Sequence, residues 1–249
     1  MGFFDDFSRF FQTSTTSPLP HRLNGRHDAI IARNAARLAG KRVLDIASHD
    51  GRWSFAALKA GAAHVTGIEP RQSLVDNARQ TFEHYGIASD AYALHTGDAF
   101  EFLRKREFDV VLCLGYFYHT IRHAELLDLI ERTGAGFIVI DTEITAPQDA
   151  LPDVDSTDPR LVFGNPYGIQ LVRDQVEDQQ MAFPDALTRN GYTLAGRTSR
   201  AAIRYMADHF GFRTDEFDWP AHFREHPEQR SAMVDYDEGW RSTFYLDRR

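Results

Sequence analysis

The run Val43-Leu44-Asp45-Ile46-Ala47-Ser48-His49-Asp50-Gly51 passes from an apolar segment into a turn of small and polar residues, and His64-Val65-Thr66-Gly67-Ile68-Glu69-Pro70 ends a second apolar segment on a carboxylate. Strand, tight turn, helix, strand and acid in that order build a nucleoside site at the carboxyl edge of a parallel sheet. The turn lets a ligand approach the backbone, and Glu69 at the next strand's tip can accept hydrogen bonds from two ribose hydroxyls. A dinucleotide needs glycines at this turn so that its pyrophosphate can touch backbone at a helix N-terminus. Only Gly51 remains: Ala47 and His49 stand in the places of glycine, and Trp53 sits where the phosphate-contacting helix begins. A pyrophosphate is poorly served by that bulk. A nucleoside carrying a zwitterionic amino-acid tail tolerates it, and Asp45 can hold the ammonium directly or through water. The plainer alternative is a βαβ turn with no ligand.

A second set of groups falls at the same edge. Leu114-Gly115-Tyr116-Phe117-Tyr118-His119 leaves a fourth apolar strand, which brings His119 toward the ligand as a general base near neutral pH. Its alternative is a helix N-cap or a supporting histidine behind the site. Asp141 and Glu143, in Ile138-Val139-Ile140-Asp141-Thr142-Glu143, are spaced i, i+2 and share one face of an extended strand. Two carboxylates there suit Mg²⁺, which takes oxygen ligands and lowers the pKa of hydroxyls it chelates. Asp149, Asp153, Asp155 and Gln170 are the candidates for a third ligand. Asp141 alone as the base, or a solvated pair, are the rival readings. Tyr116, Tyr118, Tyr167 and Trp240 are candidates for stacking on a substrate or shaping its pocket, although aromatic residues also serve core and lid packing. Arg22, Arg26 and His27 lie in the N-terminal segment and are not assigned to the site.

These groups need a scaffold. Apolar strands at 42–46, 64–68, 91–95, 109–114 and 136–141 alternate with helices at 52–60, 71–85, 99–104 and 121–132, which predicts a doubly wound α/β sheet, mostly parallel and covered on both faces. After helix 199–210, strands 213–218 and 241–247 predict a closing antiparallel pair around an excursion at 219–238. Residues 145–198 carry five prolines and scattered apolar groups such as Leu161-Val162-Phe163. A structureless loop of that length is improbable, so the stretch reads as a cap inserted after strand five. At the other end, Phe3, Phe4, Phe7, Phe10 and Phe11 fall at helical spacing. That helix either caps the core or makes a homodimer contact. Residues 13–25 read as a linker and 26–38 as a helix, which divides the chain into an N-terminal aromatic helix with linker (1–25) and one domain (26–249).

A chain of 249 residues suits one elaborated α/β domain. Net charge of −8 and the lack of a Lys/Arg block argue against a nucleic-acid partner, which would be held through its phosphates. A neutral or metal-chelating small molecule fits better. No apolar run approaches the ~20 residues of a membrane span. The acidic, aromatic N-terminus lacks the basic region of a signal peptide, and Asp6 breaks a myristoylation signal. The expected location is cytoplasmic, without a membrane partner. The single Cys113 lies within an apolar strand and reads as packing.

The strand order, the turn at 45–51, the acid Glu69, Gly97-Asp98-Ala99 and the closing hairpin together resemble the class I S-adenosylmethionine-dependent methyltransferases, over roughly residues 40–247. Gly115-x-x-Tyr118-His119 is similar to the group containing the tRNA wobble-uridine carboxymethyltransferases. The phrase Ser48-His49-Asp50-Gly51-Arg52-Trp53 resembles actinobacterial sugar O-methyltransferases of polysaccharide biosynthesis. The resemblance implies a seven-stranded Rossmann-like sheet and S-adenosylmethionine as cofactor. It places Asp45, Ala47 and Gly51, with Ser48 and His49 in the same turn, at the methionine end, and Glu69 at the ribose. Asp98 and the backbone of Ala99 fall at adenine, and Leu114 and Gly115 beneath the methionine moiety. It implies O-methylation of a small polar or saccharide hydroxyl, the 1-hydroxyl of a methylated mannoside among them, with His119 or Asp141 as base and Mg²⁺ as an optional aid. A tRNA-modifying transferase and a non-catalytic nucleoside-binding protein are the alternatives.

Overall fold

Strands whose residues are apolar at nearly every position are buried on both faces, and here they form the middle of the sheet. The computed structural model describes residues 2–13, 20–104, 107–145, 168–176 and 185–249. Strands β1 (Arg42–Ile46), β2 (His64–Glu69), β3 (Tyr92–Thr96), β4 (Val110–Leu114) and β5 (Phe137–Glu143) run parallel. A separate antiparallel pair, β6 (Ile169–Gln175) and β7 (Tyr192–Thr198), follows, and β8 (Phe212–Glu216) and β9 (Arg241–Arg248) complete the main sheet. Its order is β3-β2-β1-β4-β5-β9-β8, seven strands in all, with β9 antiparallel to both β5 and β8. This is the expected doubly wound sheet with a closing antiparallel hairpin.

Side-chain alternation divides the core. Leu44, Ile46, Val111, Cys113, Ile138 and Ile140 face one layer with Phe100, Leu127 and Ile203, whereas Val43, Val110, Leu112, Leu114 and Val139 face the other with Phe4, Phe55 and Phe82. The helices are α1 (Pro20–Ile30), α2 (Ala35–Leu38), α3 (Arg52–Lys59), α4 (Gln72–His84), α5 (Ala99–Leu103), α6 (His123–Arg132), α7 (Arg200–His209), α8 (Trp219–Glu225) and α9 (Val234–Asp237). Strand order reverses between β1 and β4, so their carboxyl ends flank the crevice in which open α/β sheets bind ligands. Cys113 is fully buried, and burial pushes its thiol well up, as a packing residue requires.

Three local expectations change. The phenylalanine run forms two short 3₁₀ turns, Phe3–Asp6 and Ser8–Phe11, rather than one helix. Phe4 and Phe10 are buried in the chain's own core, and Phe3 stacks on His27 at 4.2 Å. The run caps the core, with Phe3, Phe7 and Phe11 partly buried against it. The segment read as linker is helical from Pro20, where a proline suits the first turn. That helix stops at Ile30, because Asn34 turns its amide back onto the Ala29 and Ile30 carbonyls. Last, α6 starts at His123, after a 3₁₀ turn at Phe117–His119.

In the stretch read as a cap, β7 joins the main sheet by a bridge from Thr198 to Ile144 and a Thr145 N–H bond to the Thr198 carbonyl at 3.1 Å. Tyr167, Asp149, Asp153, Asp155 and Leu161-Val162-Phe163 lie outside the described residues. The excursion between β8 and β9 packs Trp219, Phe223, Met233 and Tyr236 against Ala29 of α1, which brings Asp235 and Tyr236 to the sheet's ligand edge. No described helix is long and apolar enough to cross a membrane.

Candidate active site

A cleft of about 1040 Å³ opens at the carboxyl ends of β1, β2, β4 and β5. Its floor begins with the turn after β1. Ala47 and His49 both hold φ of +54°, the left-handed conformation that glycine adopts freely. The backbone therefore keeps the shape of a glycine turn although two glycines are absent, at a cost of roughly 1–2 kcal/mol for each residue. Gly51 (φ +76°) remains because a Cβ there would stand 2.9 Å from Phe82 and 3.0 Å from Ala78 on α4. Ser48 turns inward: its N–H bonds the Ile68 carbonyl at 3.0 Å, and a Cβ on Gly67 would come within 2.8 Å of its hydroxyl. Ala47 and His49 line the cleft, and Ser48 and Gly51 stay behind its wall.

Asp45 is 1 % exposed and accepts a 2.7 Å bond from the Ser54 hydroxyl, while its Oδ1 has no partner. Burial, only partly offset by Ser54, pushes its carboxyl up to about 7. An acid whose folded value is raised binds a proton that the unfolded chain releases, so its contribution is complete below the ordinary value of 3.8 and is lost as pH rises toward 7. Asp45→Asn is therefore expected to gain stability over the wild type progressively between those limits and to hold the gain above them. Urea unfolding at a series of pH values checks this; a difference that does not vary with pH contradicts it.

Glu69 is fully buried at the end of β2, side chain included, and borders the cleft. Its Oε2 accepts from the His49 N–H at 3.0 Å, and its Oε1 from Arg71 Nε at 2.6 Å. The same turn is tied down from below. Asp50, 1 % exposed, receives two bonds from the Arg52 guanidinium at 2.7 and 2.8 Å, one from the Arg52 N–H at 3.3 Å and one from the Thr13 hydroxyl. Burial alone would raise Asp50, but Arg52 and His49 hold it well below the usual carboxylate range. Across the cleft, Ala99, Leu114 and Gly115 line the wall. Asp98 does not: its carboxylate caps α5 by accepting the Glu101 N–H at 3.1 Å.

Asp141 corrects the sequence reading. It is completely buried, does not border the cleft, and accepts from four donors: Arg26 at 3.0 Å, and Arg241, Tyr236 and Thr243 at 2.8 Å each. Burial opposes its charge, but Arg26 and Arg241 overcome this and hold the carboxyl well below its ordinary range. A base needs a lone pair facing the substrate, and Asp141 has committed both oxygens. Glu143 shares its face, as the i, i+2 spacing requires, and does border the cleft, but Arg197 binds it at 2.7 Å and Arg241 stands 4.0 Å away. The pair assigned to Mg²⁺ thus faces arginines, which supply the positive charge that a metal would. These residues do not fit the ion, and the described residues contain no group of three or more His, Cys, Asp or Glu that could hold one. Gln170 is exposed on β6 and does not border the cleft.

His119 does border it, and its Nδ1 lies 2.8 Å from Asp174 Oδ2 on β6. Tyr116 and Tyr118 line the adjoining wall, the Tyr118 ring carrying the Arg241 guanidinium 5.3 Å from its centroid. Trp240 is 46 % exposed and outside the cleft, so its assignment to substrate contact does not hold. Arg22 and Arg26 both reach the cleft, Arg22 bound twice to Asp235 at 2.6 and 2.7 Å, whereas His27 is buried beneath Phe3. Sequence reasoning missed Arg71, Asp174, Asp235 and Arg241. Only Arg71 had a local signal, two residues after Glu69; the other three reach the cleft through strand pairing and a distant excursion.

Residues 43–134 match the family model described as a methyltransferase domain. Ubiquinone biosynthesis O-methyltransferase of Aromatoleum aromaticum is 36% identical over 115 residues, covering 43% of this chain and 44% of that protein. Ribosomal RNA large subunit methyltransferase I of Pseudoalteromonas translucida is 35% identical over 72 residues, covering 29% of this chain and 18% of that protein. The chain thus spans less than half the length of these curated relatives. Among solved structures, the N-terminal domain of EvdMO1 with SAH bound superposes with a TM-score of 0.57 at 20% identity, covering 79% of this chain and 74% of that one. Magnesium protoporphyrin IX methyltransferase from Synechocystis PCC 6803 with bound SAH gives 0.58 at 17% identity, covering 99% and 94%. With its sheet order, its crevice and the match across β1 to α6, the chain has the α/β Rossmann-like fold of the class I S-adenosylmethionine-dependent methyltransferases.

Proposed function

We propose that this protein is an S-adenosylmethionine-dependent O-methyltransferase acting on a hydroxyl of a small polar acceptor, a saccharide in the first instance. The observation that carries the reading is one cleft with a ribose-type acid, Glu69, at one wall and a histidine, His119, at another. Its volume of about 1040 Å³ lies at the top of the usual range of ~300–1,000 Å³ for a small-molecule site, room for a nucleoside and an acceptor together. The residues suit the cofactor. Asp45 does not border the cleft, but behind its wall it keeps a buried carboxyl oxygen without a partner, which a water could link to the ammonium. Glu69 offers its carboxylate to a pair of ribose hydroxyls, and Ala47, Ala99 and Leu114 supply small or apolar wall. When bound, S-adenosylmethionine supplies a methyl group on a sulfonium, a neutral leaving group once displaced.

The protein's part is then alignment and proton removal. His119 takes the proton of the acceptor hydroxyl as its oxygen attacks in line, and Tyr116 and Tyr118 flank the acceptor. Net charge of −8 and a cleft whose arginines are paired with carboxylates favour a small acceptor over a polyanion. A screen with methyl-labelled S-adenosylmethionine over monosaccharides, methyl glycosides, amines and RNA tests the reading. Label is expected in a hydroxyl acceptor, unchanged by EDTA and lost in His119→Ala. Label confined to amines or RNA, or dependence on Mg²⁺, contradicts it.

A further inference from the structure

We propose that Asp174 is the positioning residue for His119, so that the β6–β7 pair completes the catalytic base. The inference rests on the methyl-transfer reading above. On β6, Val172 and Asp174 are half-buried while Leu171, Arg173 and Gln175 are exposed, so strand alternation turns Asp174 toward the protein body. Its carboxylate oxygen meets His119 Nδ1 at 2.8 Å, and its β7 neighbour in register, Thr193, borders the same cleft. An ionised carboxylate only accepts hydrogen bonds, so Nδ1 carries the proton and Nε2 keeps its lone pair for the acceptor. Transfer then balances. The hydroxyl proton passes to Nε2, the oxygen–methyl bond forms as the carbon–sulfur bond breaks, sulfur keeps the electron pair, and Asp174 stabilises the imidazolium.

The strand pair is seated to hold this geometry. His123, four residues after His119, bonds the Gly196 carbonyl through Nε2 at 3.1 Å. A Cβ at Gly196 would stand 3.2 Å from both Ile121 and His123, so β7 rests directly on the segment that leads away from the base. Arg197 adds its 2.7 Å bond to Glu143 on β5. Among the described residues, the Tyr118 ring lies 4.2 Å from the His119 ring, and Tyr116, Glu143 on β5, Asp185 before β7 and Arg241 on β9 line the same cleft.

The test uses the full chain as wild type, Asp174→Asn, Asp174→Glu and His119→Ala. Nitrogen-15 NMR of labelled histidine is expected to show the Nδ1–H tautomer of His119 in the wild type and its loss in Asp174→Asn. With the hydroxyl acceptor found in the screen, Asp174→Asn should lower kcat by about 10²-fold with little change in KM, the size typical of general-base assistance. The acid limb of its pH profile should move to lower pH, because the imidazolium loses its counter-charge, and Asp174→Glu should recover part of kcat. An Nε2–H tautomer in the wild type, or an Asp174→Asn enzyme with unaltered kcat and pH profile, overturns the proposal while leaving methyl transfer intact. A wild type that turns over no acceptor counts against the methyl-transfer reading instead, and the tautomer still decides the placement of Asp174.

Discussion

Asp141→Ala is expected to lower stability by about 3–5 kcal/mol, the cost of removing one partner from a buried ion pair. The carboxylate is the common acceptor for Arg26, Arg241, Tyr236 and Thr243, which come from α1, β9 and the excursion before it. Without it, Arg241, 5 % exposed, is left as a buried guanidinium whose nearest remaining carboxylate is Glu143 at 4.0 Å. Arg26 retains its position 5.0 Å over the Trp53 ring but loses its ion pair. Urea unfolding at neutral pH measures the loss. The same variant separates structure from chemistry: were Asp141 the base or a metal ligand, turnover would vanish while stability held. A loss under about 1 kcal/mol, within the ordinary range of exposed ion pairs, would refute the network's structural role.

Glu69→Ala is expected to weaken binding of S-adenosylhomocysteine by roughly 10- to 150-fold for each hydrogen bond removed, since a hydrogen bond to a charged group is worth ~1.5–3 kcal/mol. The carboxylate is held in place before any ligand arrives, by the His49 N–H and by Arg71. Little of its binding energy is then spent on ordering it. The His49 contact also ties the left-handed turn to β2, so the variant's melting temperature must accompany its affinity. An unchanged affinity in a folded variant would remove Glu69 from the cofactor site.

What was legible in the sequence is what local pattern encodes. Val43 to Ile46 and Val110 to Leu114 announce buried parallel strands because every position is apolar or turned into the core. Glu69 is legible because a strand ends on it. The turn was half legible: the types at Ala47 and His49 suggest a lost glycine loop, yet the backbone keeps its left-handed shape with side chains in place. Fates decided by distant partners were illegible. Asp141 and Glu143 share a face as their spacing dictates, but it is β9, antiparallel and in register, that sets Thr243 opposite Asp141 and Arg241 opposite Glu143. Asp174 meets His119 across 55 residues, and Tyr236 meets Asp141 across 95. No local pattern reports such contacts.

The central claim is that the crevice between β1 and β4 holds S-adenosylmethionine, and calorimetric titration of the wild-type chain with S-adenosylhomocysteine tests it most directly. One site per chain is expected, with a dissociation constant in about the micromolar range, some −8 kcal/mol, and weakened binding in Glu69→Ala. No detectable heat with millimolar ligand, at two temperatures so that a zero enthalpy is not mistaken for no binding, would contradict it.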